Sequence, residues 1–244
     1  MYKHYLIFLE EDKKDRRVAF HKLIDSKEDF EEISKYKKEL KKLDIEFYTH
    51  IITTKDKTVA SIEEKDRFFK GVFYVEVYDD FLELAKSTEK LSAMDIVKYI
   101  LMLKPTTPLK LQKLLYIVYE RYILKTQELL FDEKFVAYDY GPVVEQVYSK
   151  YRGQRELLHE DDDKSVYSIE TEAITPVAYK IFAKEDGKEI SQLIKDVVEE
   201  YSQCTAWDMV KKTHEIDTAW HRAYNKGQNT EITPEIIKKS ISVK

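Results

Sequence analysis

The first 104 residues contain no proline, and all five prolines, Pro105, Pro108, Pro142, Pro176 and Pro234, lie in the remainder. Proline removes a backbone donor and fixes φ, so it stops helices and is excluded from central strands. The two parts of the chain are therefore punctuated differently, which predicts a boundary near residues 87–92 and two domains, 1–88 and 89–244. Glycine is as scarce: Gly71, Gly141, Gly153, Gly187 and Gly227 are the full set. No two stand close enough to build a phosphate-cradling loop, so P-loop and dinucleotide-binding folds are excluded.

The first part reads as a small α/β domain. His4–Leu9, Ile45–Ile52 and Val72–Tyr78 are rich in β-branched and aromatic residues, as strands favour. Phe30, Ile33, Tyr36, Leu40 and Leu43 recur at helical spacing within a Lys/Glu-rich stretch. Ser61 with Glu64, and Asp79-Asp80, are expected to cap two further short helices.

The second part reads as mainly helical, giving an α+β protein. Ser92 with Asp95 is a capping pattern ahead of Met94, Ile96, Val97, Ile100 and Leu101. Thr107 and Pro108 can open a long helix carrying Leu111, Leu114, Leu115, Val118 and Tyr122, because proline at the first helical position lacks only an N–H that would go unpaired. Pro142 is expected to open the helix of Val144, Val147, Tyr148 and Tyr151 in the same way. Ile190, Leu193, Ile194, Val197, Val198 and Tyr201 form the cleanest amphipathic stripe, and Thr205, Asp217 and Thr233-Pro234 mark three later helix starts. Phe135–Tyr138 and Ser165–Ile169, the latter after the Asp161–Lys164 turn, are the expected strands of a short β-hairpin.

Composition narrows the function classes. Lys and Arg number 41 against 46 Asp and Glu, a net charge of −5 spread over both parts, so no basic face is advertised and nucleic acid is not an implied partner. Apolar runs fall far short of the roughly 20 residues that span a bilayer. The first residues meet charges early and lack a small-residue cleavage site, and Cys204 has no partner for an internal disulfide; a cytoplasmic protein is expected.

Candidate chemistry is thin. His214 and His221, the closest histidine pair, would lie roughly 10 Å apart on one helix, long for two ligands of one metal. His214-Glu215 begins like a zinc-protease motif, but Thr218 stands where the second histidine is required. Cys204 before a helix cap reads as a packed thiol rather than a nucleophile based by His214. No carboxylate pair is set in an apolar pocket that would tune one of them upward. Neither a metal nor a cofactor is called for. The 18 tyrosines carry more information, since tyrosine is favoured where proteins meet. Tyr138, Tyr140, Tyr148 and Tyr151 cluster around Gly141-Pro142, which reads both as a strand-to-helix turn and as a partner-reading surface.

Three segments stand in a recognisable order. They are Leu109-Lys-Leu-Gln-Lys-Leu-Leu-Tyr116; then Phe131, Phe135, Ala137, Tyr138 and Tyr140-Gly-Pro-Val143; then Thr213-His214 with Trp220. This pattern resembles the Panacea family, also called SocA-like or GepA-like proteins, small helical antitoxins and adaptors of bacterial and phage mobile elements. The resemblance covers roughly residues 90–241. Ala219 departs from it, because the family pattern has proline before the tryptophan.

The resemblance implies a domain that neutralises a protein toxin by direct binding or, in one branch, delivers the toxin to a cellular protease. The expectation is accordingly a non-enzymatic antitoxin, with a proteolytic adaptor as the alternative and self-association left open. Lys110, Lys113, Tyr138, Tyr140, Gly141, Pro142, Tyr148 and Arg152 are the expected partner contacts. Leu111, Gln112, Tyr116, Thr213, His214 and Trp220 are the motif positions that hold the fold. A reading from another class is a hydrolase or nuclease in the N-terminal sheet using Glu46, His50, Glu76 or Asp79.

Overall fold

The computed structural model describes residues 1–9, 17–86, 90–159, 166–168 and 171–243. Two compact units emerge: Met1–Thr88 with Asp163–Ala183, and Glu89–Asp162 with Lys184–Lys244. The sequence expectation placed all of 89–244 in one domain; residues 163–183 fold instead with the first unit.

The first unit is built on β1 (Tyr2–Leu9), β2 (Val18–Ile24), β3 (Phe47–Thr54), β4 (Phe73–Val75), β7 (Val166–Ser168) and β8 (Thr171–Ile174), in spatial order β3-β1-β2-β4-β7-β8. β1 runs antiparallel to both neighbours, with Leu6 opposite His21 on one side and His50 on the other. β4 joins β2 in parallel, and β7 and β8 extend the sheet antiparallel. Strand alternation then sorts the core. Tyr5, Ile7, Val18, Phe20, Ile24 and Val75 face α1 (Lys27–Lys42), α3 (Tyr78–Lys86) and α7 (Pro176–Phe182). Leu6, Phe8, Ala19 and Tyr74 face α2 (Ala60–Lys65) and the turn that follows it.

Several sequence expectations change here. β2 has no counterpart among the three expected strands, and it supplies the central pairing of the sheet. The expected strand at 72–78 stops at Val75, because Asp79 and Asp80 favour the positive end of a helix and draw Tyr78 into α3. Both acids lie in that helix's first turn rather than at its cap, and Ser61 lies inside α2.

In the second unit α5 (Pro108–Thr126) is the central element, with every residue from Leu111 to Glu120 buried. A helix enclosed on all sides must satisfy its polar members internally. It packs on α4 (Ala93–Leu103), α8 (Gly187–Glu200), α9 (Ala206–Thr213) and α11 (Pro234–Lys238). The expected caps hold: Ser92 and Asp95 form a full capping box on α4, and Thr107 accepts from Lys110 N ahead of Pro108. Thr205 and Asp208 box α9 in the same way, each such cap contributing about 1 kcal/mol. α10 (Ala219–Ala223) is capped by Thr218 rather than Asp217, which sits at φ 68° just before it.

Beside α5 lies a three-stranded antiparallel sheet, β6 (Gly141–Val144), β5 (Phe135–Tyr138) and β9 (Thr230–Ile232). The hairpin expected of this part is therefore β5–β6, while Val166–Ser168 belongs to the six-stranded sheet. The Asp161–Lys164 turn lies outside the described residues. Pro142 does not open a helix: it sits in an edge strand, where a missing donor is tolerated, and α6 (Glu145–Tyr151) begins after Val144.

Candidate partner-binding site

Two consecutive polar residues of α5 organise the site. The Gln112 side chain spans Val144, accepting from its N–H at 3.0 Å and donating to its carbonyl at 3.3 Å. This pair replaces the ladder that β6 lacks on its outer edge and fixes where strand gives way to α6. Lys113 is fully buried, 0% exposed, and donates to the Pro142 carbonyl at 3.0 Å. Burial with no carboxylate beside it brings its ammonium down to about 7.

Gly141 is dictated by that lysine. It sits at φ +108°, and a Cβ there would lie 2.7 Å from Lys113 Cε, 2.8 Å from its Nζ and 3.0 Å from Thr213 Oγ1. Only glycine permits both the backbone conformation and the close approach.

Thr213 and His214 end α9, and Trp220 lies in α10. The His214 ring stacks on the Trp220 indole at 3.5 Å between centroids and 7° between planes; Tyr224 stacks on the other side at 4.5 Å. Trp220 Nε1 donates to the Tyr138 carbonyl at 2.8 Å, and the Tyr138 hydroxyl donates to Glu145 Oε1 at 2.9 Å. Tyr224 donates its hydroxyl to Asp139 at 2.8 Å. The β5–β6 turn is thereby held at both ends. His214 Nε2 is buried with no hydrogen-bond partner, and desolvation together with the nearby Lys113 charge lowers this imidazole to about 4.

Above these buried groups opens a pocket of about 470 Å³ lined by Lys113, Tyr138, Asp139, Tyr140, Tyr148, Tyr151 and Arg152, among others. Tyr140 is 58% exposed and meets the 57% exposed Trp207 edge-on at 5.5 Å. Tyr148 packs edge-on to Tyr138 at 5.7 Å, and the Arg152 guanidinium lies 6.0 Å from the Tyr148 ring. In a second depression of about 750 Å³, Lys90 pairs with Asp132 and Asp186 accepts from Tyr122.

The structure thus divides the expected contact residues. Tyr138, Tyr140, Tyr148 and Arg152 are gathered at the pocket with surface to offer. Lys113, Gly141 and Pro142 are buried in the free chain, not displayed on its surface as expected. Lys110 is half-buried and clasps the α8–α9 connection by donating to Cys204 O at 2.6 Å and Ser202 O at 3.3 Å. Leu111, Gln112 and Tyr116 are core residues of α5; the Tyr116 hydroxyl donates to Glu120, which also accepts from Val243 N and Ser242 Oγ. Sequence reasoning missed Trp207, whose exposure beside a capping box gave no outward signal.

It also missed a buried histidine pair in the first unit, which meets Glu76 of the hydrolase reading. His4 and His21 are joined Nδ1 to Nε2 at 2.9 Å, His4 Nε2 meets Thr54 Oγ1 at 2.7 Å, and His21 Nδ1 reaches Glu76 at 3.1 Å. Burial lowers His4. His50, one of the residues of the hydrolase reading, packs edge-on against Phe8 and Phe69 on the same sheet face, while Asp79 sits in the first turn of α3.

Residues 111–221 match the family model described as Antitoxin SocA-like, Panacea domain. The matched stretch contains Gln112, Lys113, the β5–β6 turn, Arg152, Thr213, His214 and Trp220, while Tyr224, stacked on Trp220, lies just beyond it. It also takes in 163–183, which fold with the first unit. No curated protein and no solved structure matches the chain. The Panacea match supports a function of the antitoxin kind, with a protein as partner. Among the described residues no helix is long and apolar enough to cross a membrane.

Proposed function

We propose that the second unit is the toxin-binding part of a cytoplasmic antitoxin that neutralises a protein toxin by direct, non-covalent binding and without catalysis. The observation that carries this reading is convergence. The family-matched motif residues Gln112, Lys113, Gly141, Thr213, His214 and Trp220 serve to hold one turn rigid, and that turn presents Tyr138 and Tyr140 at a pocket bordered by Tyr148 and Arg152. Rigid aromatic anchors around a concavity, with an arginine beside them, are what protein interfaces concentrate their binding energy on. The first unit adds partner selectivity or assembly.

The test is co-expression of this chain with the product of the adjacent gene. The reading expects that product to arrest growth alone, growth to recover with this chain, and the two to co-purify. Absence of both rescue and complex would sink it. Rescue accompanied by rapid loss of the partner, dependent on a cellular protease, would favour the adaptor alternative.

A further inference from the structure

The pocket of the second unit is lined by two basic side chains, Lys113 and Arg152, that form no ion pair among the described residues. Lys113 donates to the Pro142 carbonyl, and Arg152 lies over the face of Tyr148 with its charge also acting on the Tyr138 hydroxyl. The one carboxylate in the lining, Asp139, is engaged by the Tyr224 hydroxyl. The remaining walls are tyrosine rings, neutral amides such as Gln154 and Gln228, and aliphatic groups including Leu109, Val143 and Val147. An ammonium removed from water and left unpaired attracts an incoming anion far more strongly than a solvated one does, because the effective dielectric around it is low.

We propose that this pocket receives a carboxylate-bearing segment of the bound toxin, with Lys113 and Arg152 as the counter-charges and the tyrosines packing against the segment's apolar portion. The inference rests on the antitoxin reading above and adds the chemistry of the contact. Its volume of about 470 Å³ lies within the range of ligand-sized sites, enough for a short stretch of chain. Lys113 is 0% exposed beneath the pocket and bonded to the Pro142 carbonyl, so its flexible side chain must turn from that carbonyl toward the anion on binding.

The arrangement has a thermodynamic signature. Lys113 is half-neutral near pH 7 in the free protein, and a carboxylate beside it restores its ammonium. Binding therefore draws a proton from solvent above that pH. A purely apolar or neutral hydrogen-bonded contact would not.

The experiment is isothermal titration of this chain with the purified product of the adjacent gene at pH 8, in two buffers of different ionisation enthalpy. Wild type, Lys113→Met and Arg152→Ala are compared. Expected are net proton uptake by wild type, none by Lys113→Met, and affinity at least about tenfold weaker in each variant. Arg152 is exposed, so its variant leaves the fold intact and reports even if Lys113→Met folds poorly. A wild-type complex with no proton uptake, or one that both variants retain undiminished, overturns this inference and leaves the antitoxin reading standing. No wild-type complex overturns both. Inorganic phosphate that binds through Lys113 and Arg152 without competing with the toxin would also overturn it, by assigning the cations to a free anion.

Discussion

His214 lies flat on Trp220, 3.5 Å between ring centroids and 7° between planes, with its Nε2 buried and unpartnered. Such a ring is held for its shape and kept neutral by its surroundings. Desolvation, then Lys113, lowers it from 6.5 to about 4, so the folded state resists a proton that the unfolded chain accepts. Stability from this group is complete above pH 6.5 and is lost as pH falls toward 4. His214→Phe keeps the stack and removes the titration. Urea midpoints measured between pH 4 and 7 should show a shallower acid decline in the variant than in wild type; parallel declines would contradict the assignment.

Lys113 gives a slope of the same sign on the alkaline side. Its folded value of about 7 lies below the ordinary 10.5, so the unfolded chain binds more protons between those limits and stability rises with pH across them. The full range corresponds to about 5 kcal/mol. Lys113→Met removes the titration while filling the same space. The variant should melt higher than wild type at pH 6.5, and the gap should narrow by pH 9.5. A variant that melts lower at both pH values would show that the bond to the Pro142 carbonyl outweighs desolvation.

Gly141→Ala combines left-handed strain with a clash. The new methyl would sit 2.7 Å from Lys113 Cε, whereas Gly153→Ala meets nothing within 4 Å at a comparable φ of +84°. We expect Gly153→Ala to cost about 1 kcal/mol and Gly141→Ala about 3 kcal/mol. Removing Lys113 atoms should relieve only the second. A double-mutant cycle of Gly141→Ala with Lys113→Ala should therefore show a coupling of about 1–2 kcal/mol; additivity would place the clash elsewhere.

Gln112 satisfies both backbone groups of Val144 from inside a buried helix. Gln112→Met preserves volume but strands a buried N–H and a buried carbonyl. Chemical denaturation should register a loss of about 2–4 kcal/mol, and amide exchange at Val144 should quicken more than at Val136 on the neighbouring strand. A neutral substitution would mean that water takes over the pair.

Much of the second unit was legible because its helices carry local signals. Ser92 with Asp95, Thr107 with Pro108, and Thr205 with Asp208 state helix starts within four residues, and the structure shows each cap made. Pro142 misled because proline is equally at home at a helix start and on an edge strand. What decides is Gln112, some thirty residues away. β2 went unread for the same reason: its sequence is modest, and its identity comes from pairing with β1 and β4. The site was half legible. Aromatic density around Gly141 pointed to the pocket, but helical spacing alone could not tell that Lys113 faces inward. A lysine on a charged-looking helix reads as solvated until the elements enclosing α5 are known.

The most direct test of the account is amide hydrogen exchange on this chain, alone and in complex with the product of the adjacent gene. The account predicts new protection along Tyr138–Gln154, the stretch that supplies Tyr138, Tyr140, Tyr148 and Arg152 to the pocket, extending to Trp207. Protection confined to residues 1–86, with 138–154 unchanged, would contradict it.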